Sequence, residues 1–181
     1  GAFVFPPPWN IEKVHFNGFF LKGDLERLQA LVDRCLNLGG PVEYRVVSSQ
    51  ILLSFVKLDH LGSMAAEYKE RGWFSENEID FWIFLVAGKR HGGVFIAERS
   101  VWFLPFLCVD SGQAMAVGRE VFGFRKQLGR FEIPADSDAP DRFAAYTHVV
   151  EKFSPEAEME HRMFLEVQRV GPPGSGGFSK V

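Results

Sequence analysis

A lysine set among apolar residues is the part of this sequence whose residue type and position most directly suggest chemistry. Lys126 lies between Phe124 and Leu128, just after a stretch with helical spacing. Burying an unpaired ammonium is costly, so a lysine in such surroundings tends to give up its proton. A neutral lysine amine is a nucleophile towards carbonyl carbons. The position alone leaves two interpretations: a reactive buried amine, or a surface lysine whose aliphatic stem covers its apolar neighbours.

The residues before Lys126 predict a short helix that ends beside it. Asp110 is a good N-cap, and Gln113 three residues later has the spacing of a capping box. Gly123 is well placed to end the helix in a left-handed turn. Between these ends, three apolar residues fall on one helical stripe: Ala114, Val117 and Val121. The lysine should therefore lie just beyond the helix C-terminus.

The same stretch resembles the acetoacetate decarboxylase family, in which a Gly-Arg-Glu helix runs into an aromatic-Pro-Lys-Lys turn. Gly118-Arg119-Glu120 and Phe124 match this pattern, and Lys126 falls on the lysine that forms the Schiff base in the family. Arg125 stands where proline is usual, and Gln127 replaces the second lysine. The resemblance implies that Lys126 forms an imine with a carbonyl substrate.

The resemblance also implies a carboxyl group beside that lysine. Gly72 and Glu76 keep the spacing of the family's Gly-x-Tyr-x-Glu stretch, with Phe74 in place of tyrosine. The glutamate of that stretch lies in the family's active site, and a shift of two residues would select Glu78 instead. The pKa of a carboxyl rises in an apolar pocket, which suits proton transfer to an enamine carbon. The alternative is a solvated carboxylate at the start of an exposed strand.

Substrate contacts follow from the same resemblance. The family has an arginine near its N-terminus, in a His-Asn-Arg stretch, that receives the substrate carboxylate, and here Asn17 stands in its place. Asparagine can hydrogen-bond a carboxylate but offers neither a charge nor a bidentate fork. This replacement counts against ordinary acetoacetate decarboxylation and less against imine chemistry on another carbonyl compound. The other residues expected to contact substrate are Phe74, Phe124, Arg125 and Gln127.

The composition is that of a folded domain without a broad charged surface. The chain has 181 residues, of which 46% are hydrophobic, and a formal net charge of -3, which argues against a nucleic-acid partner. Cys35 and Cys108 are too few for a disulfide framework and indicate a reducing compartment, so we expect a cytoplasmic protein. The longest apolar run, Val101 to Val109, is about half a membrane span, so no membrane partner is expected.

Strand-like segments outnumber helical ones and do not alternate regularly with them. A helix is predicted to begin after Asp24, and the apolar residues keep helical spacing to Leu36. The strand candidates are residues 14–21, 42–58 (one long strand or two shorter ones), 76–87, 94–109, 131–133, 143–153 and 162–170. The glycine-dense residues 88–93 predict a hairpin between the third and the fourth of these segments. We predict an α+β, mostly β fold, with an antiparallel sheet curled into a complete or incomplete barrel and two or three helices. The family resemblance implies that this barrel is of the acetoacetate decarboxylase type. Residues 1–181 would form one domain, with an extended arm over 1–10 and a linker or loop over 171–181.

The resulting functional prediction is a lyase that forms a Schiff base with a small keto acid and decarboxylates a β-keto acid of the acetoacetate type. The lysine would serve as the electron sink, so no organic cofactor is expected, and the five histidines show no spacing typical of a metal site. The alternatives are an imine-based aldolase or dehydratase of the same fold, and a non-catalytic binding protein for a hydrophobic carbonyl ligand. A homo-oligomer is expected by analogy with the family.

Overall fold

The structure is a computed structural model that describes residues 4–134 and 141–171. Within these ranges the chain forms the helices α1 (Leu25–Cys35) and α2 (Gly112–Phe122) and a short 3-10 helix, Lys69–Arg71. The strands are β1 (Trp9–Lys22), β2 (Glu43–Ser63), β3 (Phe74–His91), β4 (Val94–Val109), β5 (Lys126–Glu132), β6 (Arg142–Val149) and β7 (Glu160–Gln168). Neither of the two α-helices in the described ranges has the length and apolar character that crossing a membrane requires.

All seven strands belong to one sheet, in the order β1-β2-β3-β4-β5-β6-β7. Strands β5 and β6 pair antiparallel, with Gly129 opposite Thr147. Strands β6 and β7 also pair antiparallel, with His148 opposite His161. Over the described residues this order leaves β1 and β7 at the two edges, so the sheet is not closed into a barrel. The prediction of a mostly β, α+β fold is confirmed, with an open sheet.

A two-residue turn joins β3 to β4. Gly92 and Gly93 have φ angles of 57° and 84°, in the left-handed region that glycine enters without steric cost. Turns of this kind match the twist of the strands that they connect. The hairpin predicted from this glycine-dense stretch is confirmed.

The described chain separates into two compact units. The first contains residues 4–15, Phe55–Glu78 and the described residues from Cys108 onward, and the second contains Phe16–Ser54 and Ile79–Leu107. Each unit is assembled from segments that are far apart in sequence. The division therefore does not correspond to a linker that could be read from the sequence. The prediction of one domain stays a prediction, and its linker or loop over 171–181 lies outside the described residues except for Gly171.

The second unit is built around α1. Asp24 caps this helix, as predicted, by accepting a hydrogen bond from a first-turn backbone N–H at 2.9 Å. The apolar stripe of the helix is buried against β3 in a core of four residues: Leu28, Val32, Ile83 and Leu85. Burying each such side chain stabilises the fold by about 1.5–3 kcal/mol. The apolar periodicity and the N-cap therefore both stabilise this helix.

Residues 4–10, the described part of the arm predicted over 1–10, are bound to the end of β2 in the first unit, and residues 1–3 lie outside the described residues. The Met64 N–H donates to the Pro8 carbonyl at 2.8 Å, and the Ser63 hydroxyl donates to the Pro6 carbonyl at 2.6 Å. The core next to this segment consists of Val56, Leu58 and Leu61, with Trp9 and Phe74 packed against them. Trp9 of this segment therefore contributes to the interior of this unit.

The start of α2 differs from the prediction by one residue. Ser111, not Asp110, is the N-cap, and its hydroxyl accepts a hydrogen bond from the Ala114 N–H at 3.3 Å. The Asp110 carboxylate instead accepts from the backbone and side-chain N–H groups of Asn77, at 2.8 and 2.6 Å. Both residue types are good caps, so the partner on β3 decides between them. The predicted capping box is wrong, because Gln113 is one position too early for it.

Candidate active site

The C-terminal end of α2 places Lys126 inside the first unit. Gly123 ends the helix with a φ angle of 71°, as predicted, and its N–H donates to the Arg119 carbonyl at 3.2 Å. The Phe124 N–H donates to the Gly118 carbonyl at 3.0 Å, which turns the chain back beside the helix. Lys126 then begins β5 and is 8% exposed. It is therefore a buried lysine and not a surface one.

Gly118 leaves the room that the stem of Lys126 occupies. A Cβ atom at this helix position would lie 2.5 Å from the lysine Cδ atom and 2.6 Å from its Cε atom. Non-bonded carbon atoms settle at about 3.5–4.0 Å, so any larger residue would displace the stem. In the sequence this glycine was notable only as part of the Gly-Arg-Glu motif. The geometry explains why glycine is needed there, because a side chain would occupy the space of the lysine stem.

Two carboxyl groups of β3 face the amine. Glu76 Oε1 lies 3.5 Å from Lys126 Nζ, and Glu78 Oε2 lies 3.6 Å from the same atom. Residues two apart on a strand point to the same side, so both side chains reach the amine. The sequence could not choose between the two glutamates, and the structure brings both to the lysine. Their catalytic roles stay predictions.

Burial makes Glu76 a weak acid. Removal of the carboxylate from water raises the pKa of Glu76 from 4.5 to about 7; the positive charge of Lys126 opposes this shift, and the negative charge of Glu78 adds to it. A carboxyl with such a pKa is present in both its protonated and its ionised form at neutral pH. It can accept a proton in one step and return it in another, as a general acid–base must.

An apolar cavity of about 260 Å³ lies beside these three groups. Water occupies about 30 Å³ per molecule in the liquid, so the volume suits a small organic ligand. Its wall is aromatic: the ring centroid of Trp9 lies 6.2 Å from that of Phe74 and 6.3 Å from that of Phe122, and Phe122 stacks on Phe124 at 5.8 Å. The other uncharged lining residues are Ile11, Leu58, Leu61, Ala114, Val117 and Gly118.

The remaining residues predicted to contact substrate fall into two groups. Phe74 and Phe124 line the cavity. Arg125 and Gln127 are exposed on either side of buried Lys126, because neighbouring side chains of an extended chain point in opposite directions. Asn17 is half-buried on β1 in the second unit, and the described lining of the cavity does not include it. The substrate contacts of all these residues stay predictions.

Some lining residues were not predicted from the sequence. Trp9, Ile11 and Phe122 form part of the cavity wall, although the sequence placed Trp9 in an arm and gave the other two no role. Nothing in the spacing of these residues connects the N-terminal segment with the end of α2. Only the helical stripe through Val117 gave a signal, and that signal indicated burial without indicating a cavity.

A second cavity in the first unit lacks the reactive groups. It measures about 430 Å³, and its lining includes His60, Lys69 and Trp73 but neither Lys126 nor the two glutamates beside it. Although it is larger, it offers no buried amine for chemistry on a carbonyl group. Among the residues that the structure describes, no group of three or more His, Cys, Asp or Glu side chains is arranged to hold a metal ion.

Comparison with solved structures relates the fold to acetoacetate decarboxylases. The acetoacetate decarboxylase of Legionella pneumophila subsp. pneumophila str. Philadelphia 1 is similar over 87% of this chain, with 13% identity and a TM-score of 0.52. A second acetoacetate decarboxylase structure is similar over 89% of this chain, with 13% identity and a TM-score of 0.51. The chain spans 65% of the length of the Legionella enzyme and 68% of the length of the second.

Comparisons with family models and with curated sequences do not give this relation. No model of a known protein family matches the chain, and no curated protein sequence matches it either. The likeness to the two solved structures is therefore one of fold, and it agrees with the fold that the stretch around Lys126 predicted.

Proposed function

We propose that this protein is a carbon–carbon lyase that forms a Schiff base between Lys126 and the carbonyl group of a small substrate. The observation that carries the proposal is the buried Lys126 Nζ, which lies 3.5 Å from Glu76 Oε1 beside an apolar cavity of about 260 Å³. The fold shared with two acetoacetate decarboxylases supports the same assignment. An iminium is an electron sink, so it weakens the bonds to the carbon atom beside it.

The amine becomes nucleophilic by passing a proton to Glu76. A free lysine is about one part in 2,500 unprotonated at neutral pH, because its pKa is about 10.4. Glu76 accepts a hydrogen bond from the Lys126 amine, and burial raises the pKa of Glu76 to about 7, so this carboxylate is a stronger proton acceptor than an exposed glutamate. The neutral amine attacks the carbonyl carbon, Glu76 returns the proton to the oxygen, and water leaves to give the iminium.

Two reactions use this iminium. In decarboxylation, the bond to the carboxylate carbon of a β-keto acid breaks, its electron pair moves into an enamine, and carbon dioxide leaves. In an aldol-type reaction, a carboxylate removes a proton from the carbon beside the iminium, and the enamine attacks a second carbonyl compound. In both, Glu76 or Glu78 exchanges a proton with the substrate, and hydrolysis of the final iminium releases Lys126.

Borohydride trapping tests the proposal directly. The protein is incubated with acetoacetate, pyruvate or 2-butanone, reduced with sodium borohydride and digested, and the peptide that contains residue 126 is examined by mass spectrometry. We expect the mass of the reduced adduct on Lys126 and on no other lysine. Lys126→Ala should abolish labelling, whereas Lys152→Ala, which changes an exposed lysine, should retain it.

Product analysis then separates catalysis from binding. Release of carbon dioxide and acetone, or incorporation of deuterium from heavy water next to the carbonyl group, would support the lyase. An adduct that forms reversibly without either outcome would support the binding-protein alternative. No adduct on Lys126 with any compound of the panel would refute the imine.

A further inference from the structure

The cavity beside Lys126 combines two carboxyls and one amine with an uncharged wall. In the part of the chain that the structure describes, its charged lining residues are Glu76, Glu78 and Lys126. The rest of that lining consists of Trp9, Ile11, Leu58, Leu61, Phe74, Ala114, Val117, Gly118, Phe122 and Phe124. Once Lys126 has bonded to a carbonyl carbon, the iminium carries the positive charge that the lysine contributed to this lining. A negatively charged group on the substrate would then lie near the carboxyl groups of Glu76 and Glu78.

We propose that this site selects neutral, apolar ketones or aldehydes and discriminates against keto acids. The inference rests on the proposed imine and names its substrate class, which differs from the keto acid predicted from the family resemblance. A β-keto acid held as an imine would carry its carboxylate carbon two bonds, about 2.5 Å, from the iminium carbon. That carboxylate would share a small cavity with Glu76 and Glu78.

Charge distinguishes the two substrate classes. With a neutral ketone, the iminium nitrogen takes the place of Lys126 Nζ, which lies 3.5 Å from Glu76 Oε1 and 3.6 Å from Glu78 Oε2. These two oxygens stabilise its positive charge. With a keto acid, the same space contains a third carboxyl group, whose negative charge adds to that of Glu78 beside buried Glu76, and the described lining offers no cation besides the iminium to offset it. The arrangement therefore favours binding of the neutral compound.

The aromatic wall favours alkyl substituents on that neutral compound. Trp9, Phe74 and Phe122 present apolar surface to the cavity, where a substrate chain loses contact with water. Each methylene group that is buried in this way should improve affinity roughly fourfold. The cavity volume of about 260 Å³ limits the series to short chains. Affinity should therefore rise from 2-butanone through 2-pentanone to 2-hexanone.

A neutral substrate reacts at a carbon–hydrogen bond. The Glu76 carboxylate removes a proton from the carbon beside the iminium, and the electron pair of that bond moves into the enamine. Return of a proton to this carbon regenerates the iminium, and in heavy water the return delivers deuterium. Attack of the enamine on a second carbonyl compound instead forms a carbon–carbon bond. The new alkoxide takes the proton from Glu76, and hydrolysis of the iminium releases a β-hydroxy carbonyl product.

The test compares acetoacetate with its methyl ester, which keeps the keto group and carries no charge. Each compound is trapped on Lys126 by borohydride at equal concentration, and the initial rates of labelling are compared. We expect the ester to label at least about tenfold faster, which corresponds to about 1.4 kcal/mol. Glu78→Gln removes one negative charge from the lining and should bring the two rates closer. Glu120→Gln makes the same charge change at an exposed position of α2 and should leave the ratio unchanged.

The outcomes separate this inference from the proposed function. Labelling of Lys126 by acetoacetate as fast as by the ester overturns the substrate class and leaves the imine standing. Absence of labelling by acetoacetate, the ester and the three ketones overturns the imine and the inference with it. If Glu78→Gln does not fold, the ratio in the unmodified protein and the ketone series decide. Affinity that fails to rise along the series counts against the inference.

Discussion

Replacing Gly118 by alanine should displace the side chain of Lys126 while α2 stays folded. The new Cβ atom would lie 2.5 Å from Cδ and 2.6 Å from Cε of Lys126. Because carbon contacts settle at about 3.5–4.0 Å, the stem must move by roughly 1 Å. A lysine stem is flexible, whereas the helix backbone is not, so the movement should draw Nζ away from Glu76 and Glu78.

The two consequences of this substitution differ in size. Alanine is more favourable than glycine in a helix interior by about 1 kcal/mol, and overpacking costs about 1–3 kcal/mol. The free energy of unfolding should therefore fall by no more than about 2 kcal/mol. A displacement of about 1 Å at a reacting group can lower the rate about 100-fold. The rate of imine formation should therefore be affected far more than the free energy of unfolding.

The assay is the initial rate of borohydride-trapped adduct on Lys126 with 2-butanone, measured together with thermal unfolding. Gly112→Ala is the matched control, since it lies on the same helix and its added Cβ atom would meet nothing within 4 Å. This control should label at the rate of the unmodified protein. A folded Gly118→Ala protein that also labels at that rate would refute the reasoning that this glycine makes room for the lysine stem.

Three further substitutions test the carboxyl, the core and the charge of the cavity. Glu76→Gln should slow adduct formation about 100-fold or more, as expected for the loss of a general acid–base. The pKa of Glu76 is raised from 4.5 to about 7 by burial, so the folded state binds the extra proton between these values. The stability that protonated Glu76 contributes should therefore be fully present below pH 4.5 and be lost as the pH rises through 7, a change of about 3 kcal/mol. The difference in free energy of unfolding between the unmodified protein and Glu76→Gln, measured by urea titration, should change by that amount over this range. Ser54→Ala should cost about 1–3 kcal/mol in urea denaturation, because the buried hydroxyl accepts a hydrogen bond from Trp82 Nε1 at 3.0 Å; an unchanged midpoint would contradict this. Ile11→Arg adds a cation at a lining residue that is 47% exposed and should raise the acetoacetate-to-ester labelling ratio about tenfold. Val14→Arg, at 49% exposure on the same strand and outside the described lining, should leave that ratio unchanged.

Features that depend on neighbouring residues could be predicted from the sequence. Asp24 and the apolar spacing that follows it predicted α1, because a cap and a helical stripe are both local signals. Gly92-Gly93 predicted the hairpin for the same reason. The start of α2 was wrong by one residue, because Asp110 and Ser111 are both good caps and a contact with Asn77 decides between them.

Features that depend on contacts between distant segments could not be predicted in the same way. Trp9 carries no signal that pairs it with Phe122, although their ring centroids lie 6.3 Å apart. Spacing could not separate Glu76 from Glu78, because both point to one side of β3. The burial that raises the pKa of Glu76 to about 7 is a tertiary effect. The burial of Lys126 was inferred from a motif, since its position alone also allowed a surface lysine.

Two carboxyls beside one amine connect proton transfer with substrate charge. Glu76 can move a proton near neutral pH because burial raises its pKa to about 7, and that burial depends on the apolar cavity wall. The same burial of Glu76 makes additional negative charge beside it costly. A cation added to receive a substrate carboxylate would lower the pKa of a nearby carboxyl and so hold Glu76 ionised. Proton transfer by Glu76 needs a raised pKa, whereas acceptance of a keto acid needs a cation that would lower it. The residues that line this cavity therefore suit proton transfer and not a keto acid.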